Sequence, residues 1–294
     1  MSNDKVTPAD YNSPISPAWC PGCGDFAILG ALKQALAELE IFPKDVLLVS
    51  GIGQISKTPN YVNANGFHTI HGRPLPVATG ARLANPDLKV IVLAGDGDSY
   101  AIGGNHFLHT CRRNIDLTHI VGDNKIYGLT KGQYSPTSDK GHVTKTTPQG
   151  SIEPPVNPVK AALATGGSFI SRGFAGEVNH LKEMFMKAIE HKGYSLVDVL
   201  QPCVTFNRVN TYDYWNERVY DLEDENYDPS DPDRALEKAD EMGERIPIGV
   251  LFRDSRPTYE EQVPALQDGP IVDMDEPSKG PQDVDFSELK NRFM

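Results

Sequence analysis

An aspartate and an asparagine each follow an apolar segment of the sequence, close to where that segment ends. The run KVIVLA (89–94) precedes Asp96, and the run LTHIV (117–121) precedes Asn124. Both runs have the apolar, β-branched character of buried parallel strands. Ligands bind outside the carboxyl ends of strands in an open α/β sheet, so these two oxygen donors can share one hard cation. Because glycines flank Asp96, a diphosphate can also approach the backbone closely.

The order of these residues resembles the motif of thiamine-diphosphate (TPP) enzymes, in which GDG is followed, after an intervening strand, by Asn. A lone GDG also occurs in ordinary tight turns, but here Asn124 lies at the expected distance and is followed by KIYGLTKGQ. The resemblance implies that Asp96 and Asn124 bind Mg²⁺ through their side chains and Ile126 through its carbonyl oxygen. The backbone N–H groups expected to bind phosphate at a helix start belong to Gly128, Leu129 and Thr130.

Length and composition limit the classes of protein that fit. The chain has 294 residues, 39% of them hydrophobic, which is enough for one large α/β domain or two small ones. No apolar run approaches the roughly 18 residues that span a bilayer, and the N-terminus lacks the apolar segment of a secretory signal. We therefore expect a soluble, cytoplasmic protein with no membrane partner.

The negative charge is concentrated in the C-terminal part of the chain. The net charge is −12, and residues 221–294 carry 21 acidic against 8 basic side chains. Neither part has a basic stripe, so nucleic acid is not an expected partner.

The elements that must position these residues alternate between strand and helix. This rhythm predicts an α/β fold with a doubly wound, mostly parallel sheet, ending in an irregular C-terminal arm. Residues 131–158, rich in Ser, Thr, Gly and Pro, are predicted to form a long loop. The predicted helices are 26–39, 77–84, 105–113, 158–164 and 178–191, and the predicted strands are 46–50, 89–94, 117–121, 167–171, 194–202 and 248–252.

Two cysteines, Cys20 and Cys23, lie in the motif WCPGCGD (19–25). Cysteines separated by two residues can hold one metal centre, and the glycines leave backbone N–H groups free to bond cluster sulfurs. Half of a zinc ribbon and a thioredoxin-type redox pair are the alternatives. A zinc ribbon needs a second close pair, which the sequence lacks, and a thioredoxin pair follows a strand rather than a Pro-rich segment. The motif therefore favours an iron–sulfur site.

Taken together, the motifs resemble the β subunit of the 2-oxoacid:ferredoxin oxidoreductases, and in appearance the 2-oxoglutarate type most closely. The resemblance extends over nearly the whole chain, through WCPGCGD, SGIG, HGR (71–73), GDGD, GGNHFLHTCRRN, DNKIYGLTKGQYSPTS, PPVNP (154–158), PCVTFN and IPIGV (246–250). It implies TPP-dependent oxidative decarboxylation of a 2-oxoacid to acyl-CoA and CO₂. Electrons would pass through an iron–sulfur cluster to ferredoxin, and the reaction would be reversible.

One residue departs from the family pattern. The loop after the first strand commonly reads GIGC, and this chain has Gln54 in place of the cysteine. The resemblance then implies a [4Fe–4S] cluster held by Cys20, Cys23 and Cys203, with the fourth ligand unassigned. Cys111 is an alternative ligand, but a free cysteine in a helix is most often a small buried hydrophobe.

The resemblance also implies which residues contact cofactor and substrate. Lys57 is expected to pair with a substrate carboxylate, although an ordinary surface lysine is the alternative. The other residues expected to line the cofactor are Ile52, Gly53, Gln54, Ile55, His71, Gly72, Arg73, Gly95, Gly97 and Asp98.

The expected active site is completed by a second polypeptide. TPP enzymes activate their cofactor with a carboxylate from a second module, and this chain contains only one module. By resemblance, the α subunit of the same oxidoreductase supplies that glutamate, giving a heterodimer or a dimer of heterodimers. We accordingly expect a TPP/Mg-binding domain with the iron–sulfur site over residues 1–206. Residues 207–294 are expected to form an acidic extension that packs on this domain and on the partner.

Three other functions fit parts of the sequence. A non-redox TPP-dependent 2-oxoacid decarboxylase subunit would keep Asp96 and Asn124 but would not need the cysteine motifs. A zinc-binding interaction module would hold zinc at the cysteines and no TPP. A dehydrogenase with a Rossmann fold would carry GxGxxG after the first strand, which this sequence lacks.

Overall fold

Strands of β-branched and leucine residues form the centre of the protein, whose structure is a computed structural model describing residues 5–266 and 270–273. The strands are β1 (Val46–Ser50), β2 (Asn65–His68), β3 (Lys89–Gly95), β4 (Leu117–Asp123), β5 (Ile126–Tyr127), β6 (Gln133–Tyr134), β7 (Phe169–Phe174), β8 (Tyr194–Leu200), β9 (Val219–Asp221) and β10 (Ile246–Arg253). The α-helices are α1 (Asp25–Glu38), α2 (Pro74–Ala84), α3 (Gly104–Arg113), α4 (Pro158–Ala164), α5 (Val178–Glu190), α6 (Tyr212–Asn216), α7 (Pro232–Asp240) and α8 (Tyr259–Gln262).

Eight of these strands form one sheet in the order β2-β1-β3-β4-β8-β7-β10-β9. Neighbours in this sheet are parallel except β10, which runs antiparallel to β7. The short strands β5 and β6 form a separate antiparallel pair. The residues between them, 128–132, form a turn, so the helix start predicted there is wrong. The predicted α/β fold with a mostly parallel sheet is confirmed.

Helices cover both faces of the sheet. Because successive strand residues point to opposite sides, Leu48 packs in the core under α1 and α5, while Leu47 and Val49 pack in the core under α2, α3 and α4. All residues of β1, β4, β7 and β8 are buried, as two covered faces require. A bilayer span needs a longer and more apolar helix than any found in the described part of the chain.

Most predicted elements occur with small changes at their ends. β1 and α4 have the predicted bounds, and β4 continues past Val121 to Asp123. Helix α2 begins at Pro74 rather than residue 77, because proline is tolerated in the first helical turn. The sheet strand β9 and a π-helical turn at Gly97–Ile102 were not predicted.

The sheet continues beyond residue 206. Strands β9 and β10 extend it past β7, so its edge does not coincide with the division into residues 1–206 and 207–294. That division stays a prediction. Most of the expected C-terminal arm, residues 267–269 and 274–294, lies outside the described residues.

The strand order creates a crevice beside β1. The next strand in the chain, β2, lies on one side of β1, and β3 lies on the other. Loops that leave the carboxyl ends of β1 and β3 therefore diverge, which is where open α/β sheets bind ligands. The π-helical turn Gly97–Ile102 begins directly after Asp96 at this point.

Candidate cofactor and metal site

A cleft opens at the carboxyl ends of β1, β3 and β4. The structure brings together there residues from the loop after β1, the HGR segment, the GDGD turn and the segment after Asn124. The lining residues are Ile52, Gly53, Gln54, Ile55, His71, Gly95, Asp96, Gly97, Asp98, Asn124, Ile126, Tyr127, Gly128, Leu129 and Thr130. Every one except Tyr127 is a residue for which the sequence predicts a cofactor or metal role.

Asp96 is buried at the base of this cleft, with 3% of its surface exposed. Its Oδ2 accepts hydrogen bonds from Ser135 Oγ at 2.5 Å and from Thr137 Oγ1 at 2.7 Å. The Thr137 hydroxyl also lies 2.6 Å from Asp123 Oδ1. A hydroxyl has one proton, so it can donate a full hydrogen bond to only one of the two carboxylates. Burial, and then the charge of Asp123, raise the pKa of Asp96 to about 8. A buried carboxylate that is costly to ionise without a counter-charge gains from binding a cation, so Asp96 is favourably placed as a metal ligand.

Asn124 presents its side-chain oxygen on the same wall. Its Oδ1 accepts from the Ile126 backbone N–H at 3.1 Å, and its Nδ2 donates to Gln201 Oε1 at 2.8 Å. Asn207 Nδ2 donates to the Asn124 carbonyl at 2.9 Å and so fixes the backbone here. A carboxylate, an amide oxygen and a backbone carbonyl are the ligand types that Mg²⁺ prefers. The residues present therefore fit a magnesium ion.

Asp98 ties the loops around the cleft together. Its Oδ1 accepts from Gly72 N at 2.7 Å and from Ile52 N at 3.2 Å, and it also pairs with His71 Nδ1. Its Oδ2 is buried without a hydrogen-bond partner among the described residues. A Cβ at Gly51 would lie 1.9 Å from this oxygen, so the loop after β1 needs glycine to pack here.

Three residues with predicted roles toward TPP or the substrate do not line the cleft. Gly72 contributes only its backbone N–H to Asp98. Arg73 is exposed, with its Nη1 3.2 Å from His106 Nε2. Lys57 is half-buried in a 3-10 helix, Ile55–Asn60, and is not among the lining residues. Their roles toward cofactor and substrate stay predictions.

Sequence reasoning missed Tyr127. Its ring stands edge-on to His71, with the ring centroids 6.2 Å apart, and its hydroxyl donates to Gly97 O at 3.3 Å. Burial, followed by the charges of Asp96 and Asp98, raises the pKa of Tyr127 to about 12. The sequence could have indicated a role for Tyr127 only through its position between Ile126 and Gly128, which both have predicted roles.

A second pocket adjoins this cleft and holds the predicted cluster ligands. Cys20, Cys23 and Cys203 all line it, and it shares three residues with the cofactor cleft: Gln54, Asn124 and Gly128. A Cβ at Gly128 would lie 3.7 Å from Cys203 Sγ, which shows how near this thiol is to the cofactor cleft.

Hydrogen bonds draw the three segments of this cysteine pocket together. Gly24 N donates to Pro202 O at 3.3 Å, and Trp19 Nε1 donates to Gln54 O at 2.8 Å. Cys23 Sγ lies 3.5 Å from the buried carboxylate of Asp25. Burial, and then the charge of Asp25, raise the pKa of the Cys23 thiol.

The ligand types in this pocket fit an iron–sulfur cluster. Besides the three thiols, Gln54 contributes a buried Oε1 that has no hydrogen-bond partner among the described residues. Within that same part of the chain, no group of three or more His, Cys, Asp or Glu side chains lies close enough to share a single metal ion. Cys111 is separate: it lies in α3 and is fully buried in the core, where burial raises its pKa to about 12.

Comparison with known proteins agrees with the geometry. Residues 50–199 match the family described as thiamine pyrophosphate enzyme, C-terminal TPP binding domain. Residues 203–268 match the family described as the C terminal of the pyruvate ferredoxin oxidoreductase beta subunit. The first match contains Asp96 and Asn124, and the second begins at Cys203.

Individual relatives are similar over most of the chain. The beta subunit of 2-oxoacid:ferredoxin oxidoreductase 1 from Aeropyrum pernix is 47% identical over 280 residues, covering 92% of this chain and 87% of the relative. The 2-oxoglutarate oxidoreductase subunit KorB of Mycobacterium tuberculosis is 48% identical over 198 residues, covering 67% of this chain and 53% of the relative.

A solved structure shares the fold. It is 2-oxoglutarate:ferredoxin oxidoreductase from Magnetococcus marinus with 2-oxoglutarate, coenzyme A and succinyl-CoA bound. The two chains superpose with a TM-score of 0.87 at 41% identity, with 91% of each chain covered. These similarities confirm the resemblance seen in the sequence motifs, and the chain belongs to the β subunits of the 2-oxoacid:ferredoxin oxidoreductases, with the TPP-binding domain of that family.

Proposed function

We propose that this chain, with its partner, catalyses TPP-dependent oxidative decarboxylation of 2-oxoglutarate, with coenzyme A as the acyl acceptor, to acyl-CoA and CO₂, and that the reaction is reversible. Electrons leave through a [4Fe–4S] cluster to ferredoxin. The observation that carries the proposal is the adjacency of the two pockets, which share Gln54, Asn124 and Gly128. A cofactor in one pocket and a cluster in the other would be separated by only one layer of side chains.

The residues of the cofactor cleft bind Mg²⁺ and orient TPP. Asp96 and Asn124 hold Mg²⁺ through side-chain oxygens, and Ile126 holds it through its carbonyl, so that the ion anchors the diphosphate. The backbone of residues 128–130 contacts the phosphates. When bound, TPP supplies the electron sink that decarboxylation of a 2-oxoacid requires.

The residues of the second pocket provide the route for electrons. Cys20, Cys23 and Cys203 hold the cluster as thiolates, and the fourth ligand is unassigned. The raised pKa of the Cys23 thiol means that cluster assembly displaces a proton there.

The choice of 2-oxoglutarate rests on similarity and on one side chain. The relatives from M. tuberculosis and M. marinus are named for 2-oxoglutarate. Lys57 supplies a positive charge near the cleft for a second substrate carboxylate, which a dicarboxylic oxoacid has and pyruvate lacks.

The glutamate that activates the cofactor comes from the α subunit. Asp96 and Asp98 are the acidic residues among those that line the described cleft. Asp96 is engaged by Ser135 and Thr137, and Asp98 by backbone N–H groups. Asp98 Oδ2 has no hydrogen-bond partner among the described residues, but it is buried against Gly51. The activating carboxylate therefore comes from the partner, and the active site is completed at the subunit interface.

The test is an anaerobic purification of the α–β complex, followed by analysis of TPP, magnesium, iron and sulfide. Reduction of a viologen dye is then measured with 2-oxoglutarate and with pyruvate, in the presence and absence of coenzyme A. We expect CoA-dependent dye reduction that favours 2-oxoglutarate, and no turnover by the isolated β subunit loaded with TPP and iron.

Other results would contradict parts of this proposal. Decarboxylation without iron or CoA would identify a non-redox decarboxylase subunit. Zinc without TPP would identify a binding module. Turnover by the isolated chain would show that the activating carboxylate is its own.

A further inference from the structure

We propose that Gln201 is a positioning residue that joins the two sites through a single amide group. Its Oε1 accepts from Asn124 Nδ2 at 2.8 Å, and its Nε2 donates toward Cys23 Sγ at 3.5 Å. The inference rests on the proposed function, in which Asn124 binds the cation of the cofactor and Cys23 binds the cluster. One side chain therefore contacts a ligand of each group.

A backbone carbonyl fixes the orientation of both amides. Gln201 Nε2 also lies 3.1 Å from Pro202 O, which can only accept a hydrogen bond. The NH₂ group of Gln201 must therefore face Pro202 and Cys23, which turns its Oε1 toward Asn124. Asn124 must then present its NH₂ group to Gln201, which leaves Oδ1 directed toward the cofactor cleft. This oxygen accepts from Ile126 N and keeps a second lone pair for a cation.

Gln201 is held too tightly to move away from this position. It is 1% exposed, and its backbone N–H donates to Asp123 O at 2.9 Å. A Cβ at Gly24 would lie 2.8 Å from Gln201 Cγ, so glycine in the cysteine motif makes room for the side chain. The amide is therefore preorganised before either group binds.

The two bonds have different consequences. Loss of the bond to Asn124 frees its amide to rotate, so we expect weaker binding of Mg²⁺ and TPP. Loss of an outer partner of a metal ligand typically costs roughly 10- to 100-fold in affinity. Loss of the N–H bond to sulfur removes a dipole that favours the more negative, reduced cluster, so the reduction potential should fall.

Two variants of the α–β complex separate these effects. Gln201→Met removes both bonds at similar volume, and we expect TPP affinity to fall at least tenfold and the cluster potential to fall. Gln201→Glu keeps an oxygen for Asn124 but lacks the NH₂ group that serves Pro202 and Cys23. It should retain TPP within a few-fold of the wild type and still lower the potential. TPP affinity is measured by equilibrium binding, and the potential by EPR-monitored redox titration.

Ser171→Ala is the matched control, because Ser171 is fully buried in β7 and donates to Leu196 O at 3.3 Å. It should lower thermal stability without changing TPP affinity or the potential. If Gln201→Met changes stability alone, as the control does, the inference is wrong. If Gln201→Glu loses TPP as completely as Gln201→Met, the orientation argument is wrong. A wild-type complex without a cluster would instead overturn the proposed function.

Discussion

The ring of Tyr127 lies so close to Gly97 that a Cβ on this glycine would be 2.0 Å from the ring. The Tyr127 hydroxyl also donates to the Gly97 carbonyl at 3.3 Å. The GDGD turn and the segment after Asn124 are therefore packed in direct contact. This contact fixes the distance between the predicted magnesium ligands Asp96 and Ile126, which neighbour the two packed residues in the chain.

Gly97→Ala should therefore greatly reduce TPP and Mg²⁺ retention, because the new methyl group displaces Tyr127 and with it the Ile126 carbonyl. Retention is measured by TPP and metal content after gel filtration of the complex. Gly104→Ala is the control, since a Cβ there meets nothing within 4 Å. Wild-type cofactor content in Gly97→Ala would show that this packing does not support the site.

The metal ligands can be tested without disturbing the core. Asp96→Asn keeps an acceptor for Ser135 and Thr137, and Asn124→Ala removes the amide oxygen. Each variant should lose more Mg²⁺ and TPP affinity than the roughly 10- to 100-fold expected when only a partner of a metal ligand is lost. Circular dichroism should show that each variant remains folded. Asp123→Asn is the control. Asp123 also contacts the Thr137 hydroxyl, but it does not line the cleft, so this variant should keep the cofactor. Undiminished TPP content in Asp96→Asn would contradict the metal assignment.

Lys57→Ile should reduce turnover of 2-oxoglutarate more than turnover of pyruvate. The reason is that loss of one positive charge matters most where the substrate has a second carboxylate. The measurement is kcat/KM for both substrates in the α–β complex. Lys44→Ile removes a lysine whose side chain is 82% exposed and should affect neither substrate. Equal losses on both substrates in Lys57→Ile would place Lys57 at the shared carboxylate or in loop packing.

Gln54→Cys should lower the reduction potential of the cluster and make it more resistant to oxygen. A fourth thiolate adds negative charge, which disfavours the reduced state. Iron content and EPR-monitored redox titration test this in the α–β complex. Cys111→Ala should leave the cluster unchanged, because Cys111 is buried in a separate core. An unchanged potential in Gln54→Cys, or cluster loss in Cys111→Ala, would refute the ligand assignment.

His119 should make the fold sensitive to acid. It is fully buried between Ser99 Oγ at 3.0 Å and Tyr194 Oη at 2.8 Å, and burial lowers its pKa from 6.5 to about 3. Between these pH values the unfolded chain binds a proton that the folded chain does not, so stability is lost as the pH falls through this range.

His119→Gln should accordingly lose less stability on acidification, while being less stable near neutral pH. Thermal unfolding midpoints over this range measure the slope. The exposed His109 provides the control, and His109→Gln should retain the wild-type slope. An identical slope in His119→Gln would assign the acid sensitivity to other groups.

The elements of the fold were predictable because their signals are local. Runs of apolar residues identified β1, β3 and β4, and helical spacing identified α1 and α5, each to within a few residues. The residues that line the cofactor cleft also follow one another in short motifs at the ends of these strands. Their convergence follows because the carboxyl ends of parallel strands meet at one edge of the sheet, and alternation of strand and helix predicts parallel strands.

The supporting contacts were not predictable, because they join residues far apart in sequence. Ser135 and Thr137 bond Asp96 from a loop whose composition indicated only that it is irregular. Gln201 stood in the predicted strand segment before Cys203, and only the structure shows that its amide contacts Asn124 and Cys23. Hydrogen bonds between side chains far apart in the sequence produce no repeating pattern by which they could be predicted.

The antiparallel strand β10 determines when the sheet can be completed during synthesis. All 6 residues of β7 are buried, with β8 on one side and β10 on the other. The predicted metal ligands have all been made once Cys203 is added, yet β7 has no second partner until the chain reaches residue 253. A chain that ends between Cys203 and residue 253 exposes an apolar strand edge. Other chains can pair with this edge, which leads to aggregation. Strand β10, which carries no predicted metal ligand, thus covers an edge of β7 that would otherwise favour aggregation.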